Sequence, residues 1–598
     1  MTATLDLWPI GNCQVSALVD RAGRFVWGCT PRVDGDPAFC SLLDDAPPAG
    51  DDAFGFWEID LEGVIETKQH YLRNTPVLVT RHSDANGNAM EVVDFCPRFK
   101  RNGRMYRPVA FARIVRPISG SPRIRVRLRP ARRWGEARAE TTRGSNHIRY
   151  MVHDSVLRLS TTAAVGWIED ERLFRVERPL YFFLGPDESF SDEIGVSLET
   201  MLDHTIDEWR HWVRGLATPY EWQEAVMRSA ITLKLCQHEE TGAIVAALTT
   251  SVPEHAGSGR NWDYRYCWVR DAYYTVQALN RLGALDVLEG YLEYLRNIVD
   301  NAASGHIQPL YGVGGEATLT EREAPALSGY RGMGPVRVGN QAYEQVQHDA
   351  YGQIVLSNAQ AFFDKRLLKM AGEHEFEALE PVGERAWESF DKPDAGLWEL
   401  RTRSHVHTYS AAMCWAACDR LASVARHLDL GERASFWQER ADVMRARIEA
   451  AAWRPETNRM SATFSGDDLD ASLIQLLDLR FVAPDDPRFR GTLEAVEAGL
   501  RRGSHMLRYA TEDDFGLPHT AFNVCTFWLI EALHATGRVD DARVLLEEMV
   551  DRRTRAGLLS EDIDPNTGEL WGNYPQTYSL VGLINSAMLL SKPWTEVR

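Results

Sequence analysis

Five stretches of the chain gather Trp, Tyr, Arg and acidic residues at close spacing. They are Gly259-Arg-Asn-Trp-Asp-Tyr-Arg-Tyr-Cys-Trp-Val-Arg-Asp271, the run from His306 to Asp349 containing Val336-Arg-Val-Gly-Asn340, Asp394-Ala-Gly-Leu-Trp-Glu-Leu-Arg401, Leu507-Arg-Tyr-Ala-Thr-Glu-Asp-Asp-Phe-Gly516, and Ser560-Glu-Asp-Ile-Asp-Pro-Asn-Thr-Gly-Glu-Leu-Trp-Gly-Asn-Tyr-Pro-Gln576. A sugar has apolar faces and a rim of hydroxyls, so a pocket for it needs aromatic platforms edged by Arg and carboxylate groups. Trp262, Tyr264, Trp268, Trp398, Tyr509 and Trp571 supply the first, and Arg270, Asp271 and Arg508 the second. Any one of these aromatics taken singly reads as packing. Their recurrence at the same relative place in several loops favours a binding site.

The elements that must position these loops change character along the chain. Up to about Thr200 the pattern is that of strands. Arg123 to Arg129 alternates with period two, Thr75 to Thr80 and Met90 to Phe95 flank the turn signal Asp84-Ala-Asn-Gly-Asn88, and Tyr150 to Thr162 and Leu173 to Leu184 add further strands. An antiparallel β-sandwich over 1–200 is expected. A linking helix from Leu202 to Leu216 falls in 201–220. From Glu221 the spacing i, i+3, i+4 predicts twelve helices, at 222–236, 268–281, 284–299, 349–371, 376–390, 408–427, 431–452, 467–477, 488–501, 519–536, 538–551 and 576–592. Short turns such as Gly283 and Gly537-Arg538 alternate with long loops. Six short-turn hairpins joined by six long loops predict an (α/α)6 barrel over 221–598, with the long loops at one end. Loops that exceed about 12–15 residues are usually functional.

The loops also resemble glycoside hydrolase family 15, the glucoamylases and bacterial trehalase-like enzymes. Asn261-Trp-Asp-Tyr-Arg-Tyr-Cys-Trp-Val-Arg-Asp271 and Gly572-Asn-Tyr-Pro-Gln576 carry the likeness, and Ile10-Gly-Asn-Cys to Pro31-Arg-Val-Asp34 is similar to the family's bacterial N-terminal β-domain. The resemblance implies that Glu399 is the general acid and Glu561 the general base. It also implies that Arg270 and Asp271 grip the terminal glucose, with Arg508 as a second sugar-binding arginine. The chemistry agrees. Glycosidic cleavage needs a protonated carboxyl at the leaving oxygen, and inversion needs a second carboxylate about 6.5–9.5 Å away with water between. Trp398 beside Glu399 would desolvate it and raise its pKa, whereas Glu561 falls in a polar loop that favours the ionised form. Taken without their motifs, both glutamates read as solvated loop residues.

The implied activity is an inverting exo-acting hydrolase of α-glucosides that releases β-D-glucose. Trehalose is favoured as substrate over malto- or isomalto-oligosaccharides, the glucoamylase-type alternative. A sugar-binding protein without catalysis and a phosphorolytic enzyme are the readings from other classes. Two departures from the family pattern bear on the pocket or its entrance: Pro518-His519-Thr520 stands where bacterial relatives often carry an acidic pair, and Leu580 where they often carry His.

Other signals carry less. The net charge of −19 over 598 residues excludes a basic nucleic-acid footprint. Hydrophobic content of 44% and charged content of 25% are those of a soluble globular protein. No secretory signal or membrane span is evident, and nine scattered cysteines suit reduced thiols in a cytoplasm. Asp562-x-Asp564-x-Asn566 begins like a calcium loop, but Gly568 falls at position seven and Asn573 at position twelve, so a turn is expected. His405 and His407 lack a third ligand nearby, Cys414 and Cys418 read as buried apolar residues, and Gly312-Val-Gly-Gly315 lacks the context of a phosphate loop. Neither metal nor cofactor is expected. The expected partner is a small α-glucoside, and a homo-oligomer is left open.

Overall fold

The computed structural model describes residues 3–44, 50, 52–153, 155–302 and 305–597; Met1 and Arg598, the outer limits of the expected domains, lie outside them. Two antiparallel sheets build the N-terminal part. The first runs in spatial order Trp8–Gly11, Ser16–Val19, Phe25–Thr30, Phe56–Leu61, Arg123–Arg129 and Phe174–Arg175, with Asp36–Phe39 paired to Phe25–Thr30. The second runs Glu140–Arg143, His147–Val152, Ser155–Thr161, Leu180–Gly185, Phe111–Ser119, Ala89–Phe95, Leu78–Asp84 and Val64–Tyr71. Alternation at 123–129 becomes a strand that buries Ile124, Val126 and Leu128. The Asp84 carboxylate accepts from the backbone N–H groups of Asn86 and Asn88, which closes the turn between two paired strands.

Two expected strands divide. The segment 150–162 forms parts of two strands that pair as a hairpin. The segment 173–184 divides at Pro179, which has no N–H for a ladder, and its halves enter different sheets. Phe25 and Phe39 of the first sheet, 5.7 Å apart, meet Phe111 of the second at ring separations of 6.0 and 5.6 Å in one aromatic cluster. The outer face of the second sheet, with Val79, Val93 and Ile114, is covered by Leu198 and Leu202 of the helix Ile194–Arg214. That helix starts about two turns earlier than expected, because its buried stripe begins at Leu198.

Twelve barrel helices follow: α1 (Gln223–Leu235), α2 (Val269–Arg281), α3 (Leu285–Asn301), α4 (Asp349–Phe363), α5 (Glu373–Ser389), α6 (Thr408–His427), α7 (Gly431–Ala452), α8 (Gln475–Asp478, continuing a 3-10 turn Ala471–Ile474), α9 (Pro487–Leu500), α10 (Asn523–Ala535), α11 (Val539–Asp551) and α12 (Thr577–Leu590). The even-numbered helices form the inner ring, each packed on the next, with the 3-10 turn ahead of α8 making the contact to α10, and α12 packed on α2. The outer helices each show one apolar stripe, as in α7 with Ala434, Trp437, Ala441, Met444 and Ile448 buried. The architecture is an (α/α)6 barrel. The hairpin count differs from expectation. Turns of three residues join α2–α3, α6–α7 and α10–α11, connections of nine and eight residues join α4–α5 and α8–α9, and the sixth pair is made by the last helix, α12, packing on α1. A closed ring of twelve helices has only eleven connections, so one pair must form without a turn. Gly283 and Gly537 follow α2 and α10 at φ +87° and +88°, a left-handed conformation that glycine adopts without steric cost and that ends a helix sharply.

Candidate active site

All six inner helices direct their N-termini to one end of the barrel, where the long loops enclose a cavity. It is lined by Trp262, Tyr264, Trp268, Arg270, Asp271, Trp398, Glu399, Arg508 and Glu561, residues drawn from four loops far apart in sequence. Tyr509 and Trp571 do not line it. Tyr509 is buried with its hydroxyl on Asp513, and Trp571 is buried against Tyr330 and Arg331. Trp571 is therefore corrected from sugar platform to packing: it ends a short strand, Leu570–Trp571, whose pairing with Asp562–Ile563 turns its ring away from the cavity.

The first loop is anchored by Arg265. This residue is fully buried, paired with Asp263 at 2.6 Å, and donates to the Gly35 carbonyl of the N-terminal domain at 2.8 Å. Its guanidinium lies 4.6 Å from the Trp134 ring of the same domain. The indole of Trp27 donates to the Leu248 carbonyl at 2.7 Å, so the β-domain clamps this loop at two points. Trp262 is held between Arg401 at 4.0 Å and Arg337 at 4.7 Å.

Arg270 and Asp271 occupy the first turn of α2. Arg270 reaches Gln347 at 3.0 Å, Glu399 at 3.2 Å and Asp349 at 3.5 Å. Burial pushes the Asp271 carboxyl up to about 7, against the attraction of Arg270. Glu399 lies on the loop before α6 with φ +60°, a left-handed conformation that costs a non-glycine residue roughly 1 kcal/mol or more. Its carbonyl accepts from Gln345 at 3.2 Å. Its Oε1 accepts from the Trp268 indole at 2.6 Å and from Arg270, while Oε2 has no hydrogen-bond partner among the described residues. The ring that meets Glu399 is thus Trp268 rather than the adjacent Trp398. Trp398 turns inward, donates to Asp470 at 2.7 Å, and packs on Phe522 and Trp528.

Glu561 corrects a second expectation. It is 1% exposed, not solvated in a polar loop. Residues Asp562–Ile563 pair with both Ala521–Phe522 and Leu570–Trp571, and this small sheet closes over the carboxyl. Burial raises the Glu561 pKa, and the nearby Glu254 raises it further; a hydrogen bond from the Tyr264 hydroxyl at 2.6 Å and the charge of Arg508 oppose this. Asp562 is buried beside it and shifted upward for the same reasons, burial first and then Glu561. The Gly572-Asn-Tyr-Pro-Gln576 motif fixes this arrangement. Asn573 donates to the Trp262 carbonyl at 2.9 Å and accepts from Thr249 at 2.8 Å, and its carbonyl accepts from the Glu561 N–H at 3.2 Å. Gly572 has φ +75°, and a Cβ there would lie 2.6 Å from Cβ of Glu561.

Arg508 donates to Glu254 at 2.5 Å, and Arg260 chelates Asp513 at 2.6 and 2.7 Å. Glu254 carries no recognisable motif; only its pairing with an arginine some 250 residues later reveals it. Arg260, Arg401, Asp513 and Asp514 also line the cavity and lay inside the loops read from sequence without being singled out. The two departures from the family pattern separate. Leu580 is a fully buried core residue of α12, away from the cavity, whereas His519 is exposed and packs edge-on against His255 at 4.9 Å. Asp564 closes a turn by accepting from Asn566 N–H at 2.8 Å, as expected. Among the described residues no group of three or more His, Cys, Asp or Glu side chains is placed to hold a metal ion.

The model of the family described as glycosyl hydrolases family 15 matches residues 221–588, and that of a trehalase-like N-terminal domain matches residues 7–172. A trehalase of Mycobacterium tuberculosis is 30% identical over 97% of this chain and 88% of its own length. A trehalase of Thermoplasma acidophilum is 29% identical over 96% of this chain and 98% of its own length. In fold, the chain is similar to a bacterial glucoamylase solved with acarbose, at a TM-score of 0.70 and 15% identity, over 98% of this chain and 94% of that one. Among the described residues no helix is long and apolar enough to cross a membrane.

Proposed function

The chain belongs to glycosyl hydrolase family 15 and is a glycoside hydrolase, and from that premise we propose that it hydrolyses trehalose with inversion, Glu399 acting as general acid and Glu561 as general base. One observation carries the assignment. Glu399 is bonded to the Trp268 indole and Glu561 to the Tyr264 hydroxyl, and these two rings pack edge to face at 5.3 Å in one cavity. The carboxyls thus stand on either side of an aromatic pair, which suits a sugar ring between them with a water on the Glu561 side.

In this reading Arg270 and Asp271 hold the hydroxyls of the glucose whose bond is cut. The free Oε2 of Glu399 delivers a proton to the leaving oxygen. Glu561, once ionised, takes a proton from water as that water attacks the anomeric carbon. Two carboxyls and water account for both proton transfers. The named activity of the relatives supports trehalose over malto-oligosaccharides. Nine buried thiols, all unpaired, support a reducing compartment such as the cytoplasm.

The test is glucose release from trehalose, maltose, isomaltose and maltotriose, with product anomers read by proton NMR before mutarotation. Inversion of trehalose yields one β- and one α-glucose per turnover, and inversion of maltose yields β-glucose from the non-reducing end. Fresh product that is all α would indicate retention and remove Glu561 as base. Maltotriose cleaved faster than trehalose would assign the glucoamylase-type substrate.

A further inference from the structure

The barrel holds a cavity towards each end. Opposite the catalytic loops, towards the C-termini of the inner helices, lies a second cavity of about 340 Å³, at the small end of the roughly 300–1,000 Å³ typical of ligand sites. We propose that it is a second saccharide site, occupied by a monosaccharide such as the glucose product. The proposal rests on the hydrolase reading above for the identity of that product.

Its inner wall is aromatic. Tyr274, Trp528 and Tyr578 are buried and line it, with Tyr274 and Trp528 packed on Tyr578 at ring separations of 5.4 and 6.3 Å. Around them stand amides that both donate and accept: Gln277, Gln475 and Asn585. Charge of both signs completes the rim. Arg281 donates to Asn585 at 3.1 Å, and among the described residues it has no ion pair and neither Asp478 nor Glu531 takes a hydrogen bond or an ion pair. The hydroxyl of Tyr578 is itself buried without a partner.

This is the combination the catalytic cavity also offers: aromatic faces for C–H surfaces, with amides, arginine and carboxylate for hydroxyls. A sugar can use both signs of this lining, Arg281, Arg420 and Arg480 on the one hand and Asp478 and Glu531 on the other, whereas a simple anion would leave the two carboxylates facing it. Tyr578 lines both cavities, so it is their common wall. A sugar bound at the rear would press on a side chain that also shapes the catalytic pocket.

The test is saturation-transfer NMR with D-glucose as probe and the full chain. Asp271→Ala weakens the front pocket, and Gln277→Ala with Asn585→Ala strips two amides from the rear. Glucose should still bind the Asp271→Ala protein, and adding the two rear substitutions should weaken that binding at least tenfold. Thermal melts confirm that each variant is folded. No transfer in Asp271→Ala, or transfer unchanged by the rear substitutions, overturns the proposal. Trehalose hydrolysis by the unsubstituted enzyme is read alongside. An active enzyme without a rear site sinks this inference alone, and rear binding in an enzyme that spares trehalose sinks the substrate assignment alone.

Discussion

Tyr264 donates a 2.6 Å hydrogen bond to the carboxyl of Glu561, and it is the one hydroxyl bonded to that group among the described residues. A bond to the charged form stabilises it, so Tyr264 opposes the upward push of burial and Glu254. Tyr264→Phe should move the acidic limb of the kcat/KM profile to higher pH, because more of Glu561 stays protonated. At pH 6 the loss should be about tenfold, for a lost bond of about 1.4 kcal/mol. A profile that falls uniformly at all pH values would reduce Tyr264 to a packing residue.

The two glutamates should separate by leaving group. Glu561→Gln should lose about 100-fold or more on every substrate, since an amide cannot take the proton of water. Glu399→Gln should be as impaired on trehalose but recover on α-glucosyl fluoride, whose leaving group needs no proton. Equal impairment of Glu399→Gln on both substrates would falsify its role as acid.

Gly572 tests how closely Glu561 must be placed. A methyl group there would lie 2.6 Å from the Glu561 Cβ and 2.7 Å from its Oε2, on a backbone at φ +75°. Gly572→Ala should therefore shift the carboxyl and lower kcat roughly 100-fold. Its melting temperature should drop by only a few degrees. Retained activity would mean that the base tolerates displacement.

Asp263 and Arg265 form a fully buried ion pair within the catalytic loop, and Arg265 also reaches the Gly35 carbonyl of the β-domain. Breaking one partner leaves the other charge uncompensated. Arg265→Met should cost about 3–5 kcal/mol in denaturant unfolding, and Asp263→Asn with Arg265→Met should cost less than that single change. Additive losses would show that the two side chains act independently.

Stability should fall as pH rises above 6.5. Burial raises Asp394 and Glu531 to about 8 and Asp271 to about 7, so the folded state holds protons that the unfolded chain has already lost. Buried His82, His348 and His505, with the partly buried His407, are held at about 4 by desolvation and act in the opposite sense, but their contribution is constant above about 6.5. Melting temperature should thus decline from pH 6.5 to 8.5. Asp394→Asn should flatten that decline by about 2 kcal/mol, since Asp394 is nearly fully buried. A melting temperature that rises over this window in the unsubstituted protein would contradict the buried-acid account.

Periodicity determined where a strand-rich half gives way to a helical one, and the order of the barrel helices. The stripe of α7 and the alternation of residues 123–129 each bury one face in only one conformation, so both are legible without a structure. The loop motifs likewise marked Arg270, Asp271, Glu399 and Glu561 as a group, because a site built on helix N-termini and long loops leaves dense polar and aromatic runs in the chain. Tertiary structure decided what those runs do. Trp398 sits beside Glu399 in sequence, yet Trp268, 131 residues away, makes its hydrogen bond. Trp571 resembles the other loop tryptophans, but strand pairing turns it into packing. Glu561 lies in a polar segment, and only the three-stranded closure around it removes water. Sequence fixes side-chain type and local direction, whereas burial and partner choice depend on which distant segments the fold brings alongside. That is why Glu254 and the rear cavity around Tyr578 emerge only when the ring of helices closes.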